Sequence, residues 1–142
     1  MNIYFACSIT GGREFESVYL ALVSALMRDG HEVPTAHLAA AEVMALEAVI
    51  DPHEVYSRDI AWICASRVLI AEVSAPSHGV GYEIGFALHL RKPVLALHQE
   101  GRGVSKMISG NPDPKLLVRA YQNPEQAIEQ IREFLLQVEN IL

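Results

Sequence analysis

Residues 67–88 read RVLIAEVSAPSHGVGYEIGFAL. The opening Arg67 to Val73 is a short apolar run broken by one acid, with no polar side to offer to water, and such a run predicts a strand covered on both faces. Ser74-Ala75-Pro76-Ser77-His78 is turn chemistry. From about Gly79 the spacing changes, and Glu83 shares one face with Phe86, Ala87 and Leu90 at offsets of 3, 4 and 7, which is helical periodicity. A strand, a tight turn and a helix therefore follow one another within this stretch. Similar apolar runs at Ile3 to Cys7 and Pro93 to His98 predict two more covered strands, with weaker candidates at His31 to Val33 and Leu117 to Ala120. Phe15, Val18, Tyr19, Leu22 and Leu26 form one helical stripe, and Ile128, Ile131, Leu135 and Val138 another, the latter opened by Asn123-Pro124 as N-cap and first-turn proline. Strands alternating with helices imply an α/β fold with a parallel five-stranded sheet, right-handed crossovers and a ligand crevice at the carboxyl ends of the strands.

The composition agrees with one domain spanning residues 1–142. The chain is 51% hydrophobic and 20% charged, enough apolar material for a single core. Its net charge of −6 argues against a nucleic-acid polymer as partner, since such binding rests on phosphate neutralisation. No apolar run is long enough to span a membrane and no secretory signal is visible. Cys7 and Cys64 form no C-x-x-C pair and have no clustered ligands around them, so the expectation is a cytoplasmic protein with two reduced thiols and no metal site.

The loop after the first strand, Cys7-Ser8-Ile9-Thr10-Gly11-Gly12-Arg13, offers backbone N–H groups, hydroxyls and a guanidinium to an anion, and the helix after it is expected to begin near Glu14. It carries neither the dinucleotide-binding glycine pattern nor a P-loop. The same residues satisfy C-x5-R, the spacing of a cysteine-dependent phosphatase, in which a helix N-terminus and an arginine would favour a Cys7 thiolate. Glu14 and Glu16, directly after Arg13, oppose that reading by repelling a phosphoester dianion. A glycine-requiring tight turn is the plain alternative.

Two acids lie on apolar helix faces, where a carboxylate is costly to bury without a partner. Glu83 is one, and its early place in the helix lets the dipole favour the ionised form. Asp59 is the other, sharing a face with Val55, Tyr56, Trp62 and Ile63, with Arg58 beside it as a neutralising cation. Both helices present these residues toward the carboxyl edge of the sheet. Two acids facing one crevice suit glycosidic-bond chemistry, one attacking the anomeric carbon while the other handles protons. Glu72, in the strand, reads equally as a crevice group or a structural acceptor. His37, after the second strand candidate, also reaches that edge.

Tyr4 to Arg13, Asp59 to Trp62 and Ala71 to Gly85 together resemble the 2'-deoxynucleoside 5'-monophosphate N-hydrolases of the nucleoside 2-deoxyribosyltransferase superfamily, and the similarity runs in consistent order from Ile3 to about Gly110. The resemblance implies a Rossmann-like, flavodoxin-type three-layer sandwich and a double displacement without cofactor. It assigns Glu83 as nucleophile, Asp59 as proton donor or orienting acid, and Tyr4 as the phenol holding the nucleophile. It places phosphate contacts at Ser8, Ser77 and Gly79, with Ser105 supplied across a homodimer, and puts Ile9, Tyr19, His37 and Met107 near base and sugar. Transferases of this superfamily that act on unphosphorylated nucleosides carry an aspartate six residues before the nucleophile. Ser77 stands there instead, and a hydroxyl can donate to a 5'-phosphate that a carboxylate would repel. Thr10 stands where the animal hydrolases have arginine, leaving Arg13 as the cation of a loop in which Thr10 and Gly11 also face the expected anion.

The sequence therefore predicts a hydrolase of deoxynucleoside 5'-monophosphates. The alternatives are a base-exchanging deoxyribosyltransferase, a ribonucleotide N-glycosidase, a Cys7 phosphatase and a non-catalytic nucleotide-binding module.

Overall fold

The computed structural model describes residues 1–9, 14–40 and 42–141. Four strands, β1 (Ile3–Ala6), β2 (Val68–Glu72), β3 (Val94–Gln99) and β4 (Leu116–Tyr121), form one parallel sheet in the order β1-β2-β3-β4. Register puts Tyr4 beside Leu69, Leu69 beside Val94 and Val94 beside Leu116. Because side chains alternate across a strand, Tyr4, Ala6, Leu69, Ala71, Val94 and Ala96 face one side, and Ile3, Phe5, Val68, Ile70, Leu95 and Leu97 the other. All residues of β1 and β2 are buried, as the unbroken apolar runs require.

Helices cover both faces. α1 (Glu16–Arg28) and α6 (Pro124–Asn140) lie on the Phe5 side, while α3 (Pro52–Ala65) and α4 (His78–His89) lie on the Tyr4 side. The result is a Rossmann-like α/β sandwich of three layers. Two short helices, α2 (Val43–Ala48) and α5 (Lys106–Ser109), decorate the carboxyl edge. The starts of α3, α4 and α6 are set by side-chain caps. Asp51 accepts from His53 N at 2.8 Å, Ser77 from Val80 N at 3.3 Å, and Asn123 from Gln126 N at 2.9 Å. α1 begins at Glu16, slightly later than the glycine loop suggests, with no side-chain cap from Phe15.

The fifth strand expected at His31 to Val33 is reduced, among the described residues, to one parallel bridge between Asn2 and Glu32. Ile3 N donates to Glu32 O at 2.8 Å and Glu32 N to Met1 O at 2.9 Å, and there the ladder stops. Pro34 has no N–H to continue it, and the chain turns into a 3-10 segment at Ala36–Ala39. Phe5 N finds its acceptor in the fully buried Thr35 hydroxyl instead, at 3.0 Å. Counted as a rudimentary second strand, this segment gives the flavodoxin-type order, whose switch point falls at the carboxyl ends of β1 and β2.

Candidate active site

A cleft of about 550 Å³ opens at that switch point, within the size range of small-molecule sites. Ala6, Cys7 and Ile9 line it from the end of β1, Asp59 and Ile63 from α3, and Ser77, Gly79 and Glu83 from the start and middle of α4. Leu38, Glu47, Ile50 and Pro52 complete the wall. The sheet's carboxyl edge thus gathers side chains from both halves of the chain around one space.

Glu83 is the group whose chemistry is most altered by this setting. Its Oε1 accepts a hydrogen bond from the Tyr4 hydroxyl at 2.7 Å, and Tyr4, fully buried in the sheet, reaches it from beneath. Burial pushes the Glu83 carboxyl up to about 7, against the lowering effect of the Tyr4 hydrogen bond and with the charge of Asp59 adding to the rise. Burial first, and then the charges of Glu83 and Asp59, hold the Tyr4 phenol far above its ordinary range, so it is a proton-bearing donor. The helix dipole does not set the ionisation of Glu83 as the sequence suggests. Glu83 is the sixth residue of α4, beyond the first turn where that effect is concentrated, and desolvation outweighs it.

Asp59 enters from α3 with its side chain 15% exposed, its Oδ1 accepting from Arg58 Nε at 2.8 Å. Arg58 does more than neutralise its neighbour. Its Nη1 and Nη2 donate to Glu47 Oε1 and Oε2 at 3.0 and 3.3 Å, and its guanidinium lies 4.9 Å over the Trp62 ring. Glu47 is not legible in the sequence as a site residue. It belongs to a short apolar segment without a motif, and only the fold, through its ion pair with Arg58, brings it to the cleft. Trp62, three residues on from Asp59 in α3, lies against Arg58 and His37.

At the other end of the cleft, Ser77 caps α4 with its side-chain oxygen and Gly79 follows inside the first turn. A Cβ built at Gly79 would meet Ser77 Oγ at 3.9 Å, an ordinary van der Waals contact. The N–H groups of a first helical turn have no intrahelical acceptors, which makes this end suited to an anion. Ser8 is buried and Ile9 lines the cleft nearby. Thr10, Gly11 and Arg13, the rest of the expected anion loop, lie outside the described residues.

Four further candidates fall elsewhere. Tyr19 is fully buried in the core on the α1 and α6 side, away from the cleft lining. His37 sits behind the wall, its Nε2 3.3 Å from Glu47 Oε1 and its ring edge-on to Trp62. Ser105 caps α5, accepting from Met107 N at 3.3 Å, and Met107 is 84% exposed. Both line a second depression that shares Ser77 and Val80 with the first. Cys7 is 4% exposed and its thiol donates to Leu38 O. Among the described residues, no three His, Cys, Asp or Glu side chains group as metal ligands.

Residues 3–132 match the family model described as nucleoside 2-deoxyribosyltransferase. The chain belongs to that family. A relative from Methanosarcina mazei, provisionally named 2'-deoxynucleoside 5'-phosphate N-hydrolase 1, is 41% identical over 134 residues, covering 94% of this chain and 83% of its own. The 5-hydroxymethyl-dUMP N-hydrolase of Esox lucius is 40% identical over 139 residues, covering 94% of each chain. Among solved structures, the CMP N-glycosidase BcmB of Clostridium botulinum superposes with a TM-score of 0.70 at 19% identity, over 93% of this chain and 98% of that one. That likeness establishes the sandwich fold. In this member of the nucleoside 2-deoxyribosyltransferase family three carboxylates, Glu47, Asp59 and Glu83, line the cleft, and among the described residues no helix is long and apolar enough to cross a membrane.

Proposed function

We propose that this chain hydrolyses the N-glycosidic bond of 2'-deoxynucleoside 5'-monophosphates, giving free base and 2-deoxyribose 5-phosphate. The observation that carries this reading is the Glu83 carboxyl, half-buried on the wall of a mononucleotide-sized cleft, held by one phenol and raised by burial toward about 7. Ionised Glu83 attacks C1', and the C1'–N bond breaks with its electron pair leaving on the base. Asp59 supplies or orients the proton that the base takes up. Water then attacks C1' and gives up a proton, and the Glu83–C1' ester bond breaks to restore the carboxylate. Tyr4 keeps its proton throughout and fixes the direction of the attacking oxygen.

The 5'-phosphate is placed at Ser77, Gly79 and the glycine loop, where Ser77 supplies a donor. The names of the relatives from Methanosarcina mazei and Esox lucius support a nucleotide over a nucleoside. A homodimer in which Ser105 of the partner subunit completes the phosphate site is in keeping with the exposure of Met107, which leaves that side chain open to a second copy. We place the protein in the cytoplasm, where the nucleotide pool lies.

Product analysis over a panel of deoxynucleotides, ribonucleotides and deoxynucleosides tests the proposal. Guanine and deoxyribose 5-phosphate from dGMP are expected. Base exchange between nucleosides without hydrolysis of nucleotides would mark a transferase, inorganic phosphate a phosphatase, and binding without turnover a carrier module; each of these would overturn the reading.

A further inference from the structure

Arg58 holds two carboxylates from two different helices, and the steps above make no use of that grip. Its Nε serves Asp59 on α3, while both terminal nitrogens serve Glu47 on α2. The three side chains are only 22%, 15% and 11% exposed. A guanidinium is planar and its donors diverge in fixed directions, so a fork engaged at three points dictates the attitude of both acids in a way that a lysine ammonium cannot. Glu47 and Asp59 both line the cleft. Once phosphate is assigned to the start of α4 and the sugar to Glu83, the wall formed by Glu47 and Ile50 is what remains for the base.

Three carboxylates, Glu47, Asp59 and Glu83, border this one cleft. Without a cation behind them, Asp59 would turn from its neighbours by repulsion. A proton donor must stand within hydrogen-bond reach of the atom it serves, and a displacement of about 1 Å can cost about a hundredfold in rate.

We propose that Arg58 is a positioning residue, which aims Asp59 at the leaving base and couples that aim to the α2 wall through Glu47. The inference rests on the hydrolase reading above. It predicts that the base end of the cleft and the proton-handling acid are set together, so that damage to either end of the Arg58 bridge injures the same step.

The test compares dGMP with its N7-methyl derivative, whose cationic base departs as a neutral molecule and takes up no proton. Arg58→Gln and Arg58→Lys should each lower kcat on dGMP about 10- to 100-fold and kcat on the methylated substrate by less than about threefold. Equal losses on the two substrates, the sign of general structural damage, would overturn the proposal, as would unchanged turnover of dGMP. Glu47→Gln should show the same substrate selectivity in weaker form, and the double variant with Arg58→Gln should lose no more than Arg58→Gln alone. Additive losses would refute the coupling. Wild-type protein that releases no guanine from dGMP would bring down the hydrolase reading itself, a failure distinct from any difference among active variants.

Discussion

Two glutamates sit at the same carboxyl edge of the sheet, on opposite faces, and their surroundings could hardly differ more. Glu72, the last residue of β2, is fully buried on the α1 and α6 side. It accepts from the Tyr121 hydroxyl at 3.0 Å, from the Ser74 hydroxyl in a very short bond, and from Ser74 N at 3.3 and 3.4 Å. Ser74 Oγ in turn accepts from Gln99 N at 2.7 Å, so the carboxylate knits the ends of three strands together. Glu83, on the other face, has one hydroxyl donor among the described residues and opens onto a cleft. Burial raises both groups above the ordinary carboxylate range. An acid whose oxygens are saturated by its own protein is an acceptor that shapes a loop. An acid held at one point, with lone pairs facing open space, is available to a ligand. Burial alone does not distinguish them; the hydrogen-bond complement does.

Exchanging their acids for neutral groups should separate the two most widely. Glu83→Ala is expected to lower kcat by at least about a thousandfold while nucleotide binding stays measurable by calorimetry, because a covalent nucleophile acts on the chemical step. Glu72→Gln should keep kcat within about tenfold of wild type. Comparable losses for the two would dissolve the contrast. Tyr4→Phe sharpens it from the donor side. Removing the phenol leaves desolvation unopposed, so the Glu83 carboxyl moves further above 7. Activity needs the ionised form, so the acid limb of the kcat/KM profile, placed near pH 7 in wild type, should move to higher pH. Activity at neutrality should fall about tenfold for every pH unit the limb travels.

Stability should run in the opposite direction to activity. Because the folded pKa of Glu83 exceeds its unfolded value of 4.5, the folded state binds the extra proton, and stability falls as pH rises between 4.5 and about 7. Glu83→Gln removes that loss, so its Tm should exceed that of wild type by a margin that widens from about pH 5 to about pH 8 in thermal melts. Glu72→Gln places an amide N–H₂ among groups that donate, and should cost about 1–3 kcal/mol in denaturant unfolding. The smallest effect is expected at Cys7, where Cys7→Ser should leave turnover within about threefold, since a serine hydroxyl can also donate to the Leu38 carbonyl that the thiol meets. A dead Cys7→Ser beside an active Glu83→Ala would transfer the chemistry to sulfur.

The sequence exposes these features unevenly. Strands β1 to β3 are legible because residues covered on two faces must be apolar throughout, and β4 because its core, Leu117 to Ala120, keeps enough of that character. Glu83 and Asp59 stand out as acids where apolar periodicity demands carbon. Glu72 stays ambiguous for want of register. Alternation already sets Glu72 with Val68 and Ile70, and only the pairing of Tyr4 with Leu69 reveals that this set lies on the face of Phe5, not of Tyr4. Glu47 and the reach of Arg58 are invisible because they depend on how α2 packs, and a short helix in an alanine-rich stretch carries no signal for its orientation. The expected fifth strand fails at Pro34, where a missing donor outweighs the propensity of Val33.

That failure has a use. β1 lies at the margin of the sheet, and its outward amides could serve as a template onto which another polypeptide adds itself. The Ile3 amide is consumed by Glu32 and the Phe5 amide by the Thr35 side chain, so two partners of different kinds occupy what a full strand would otherwise seal. A proline then bars any continuation. Self-propagating association through that margin is suppressed, and the residues from Thr35 onward are released from the ladder to climb over the edge and roof the cleft.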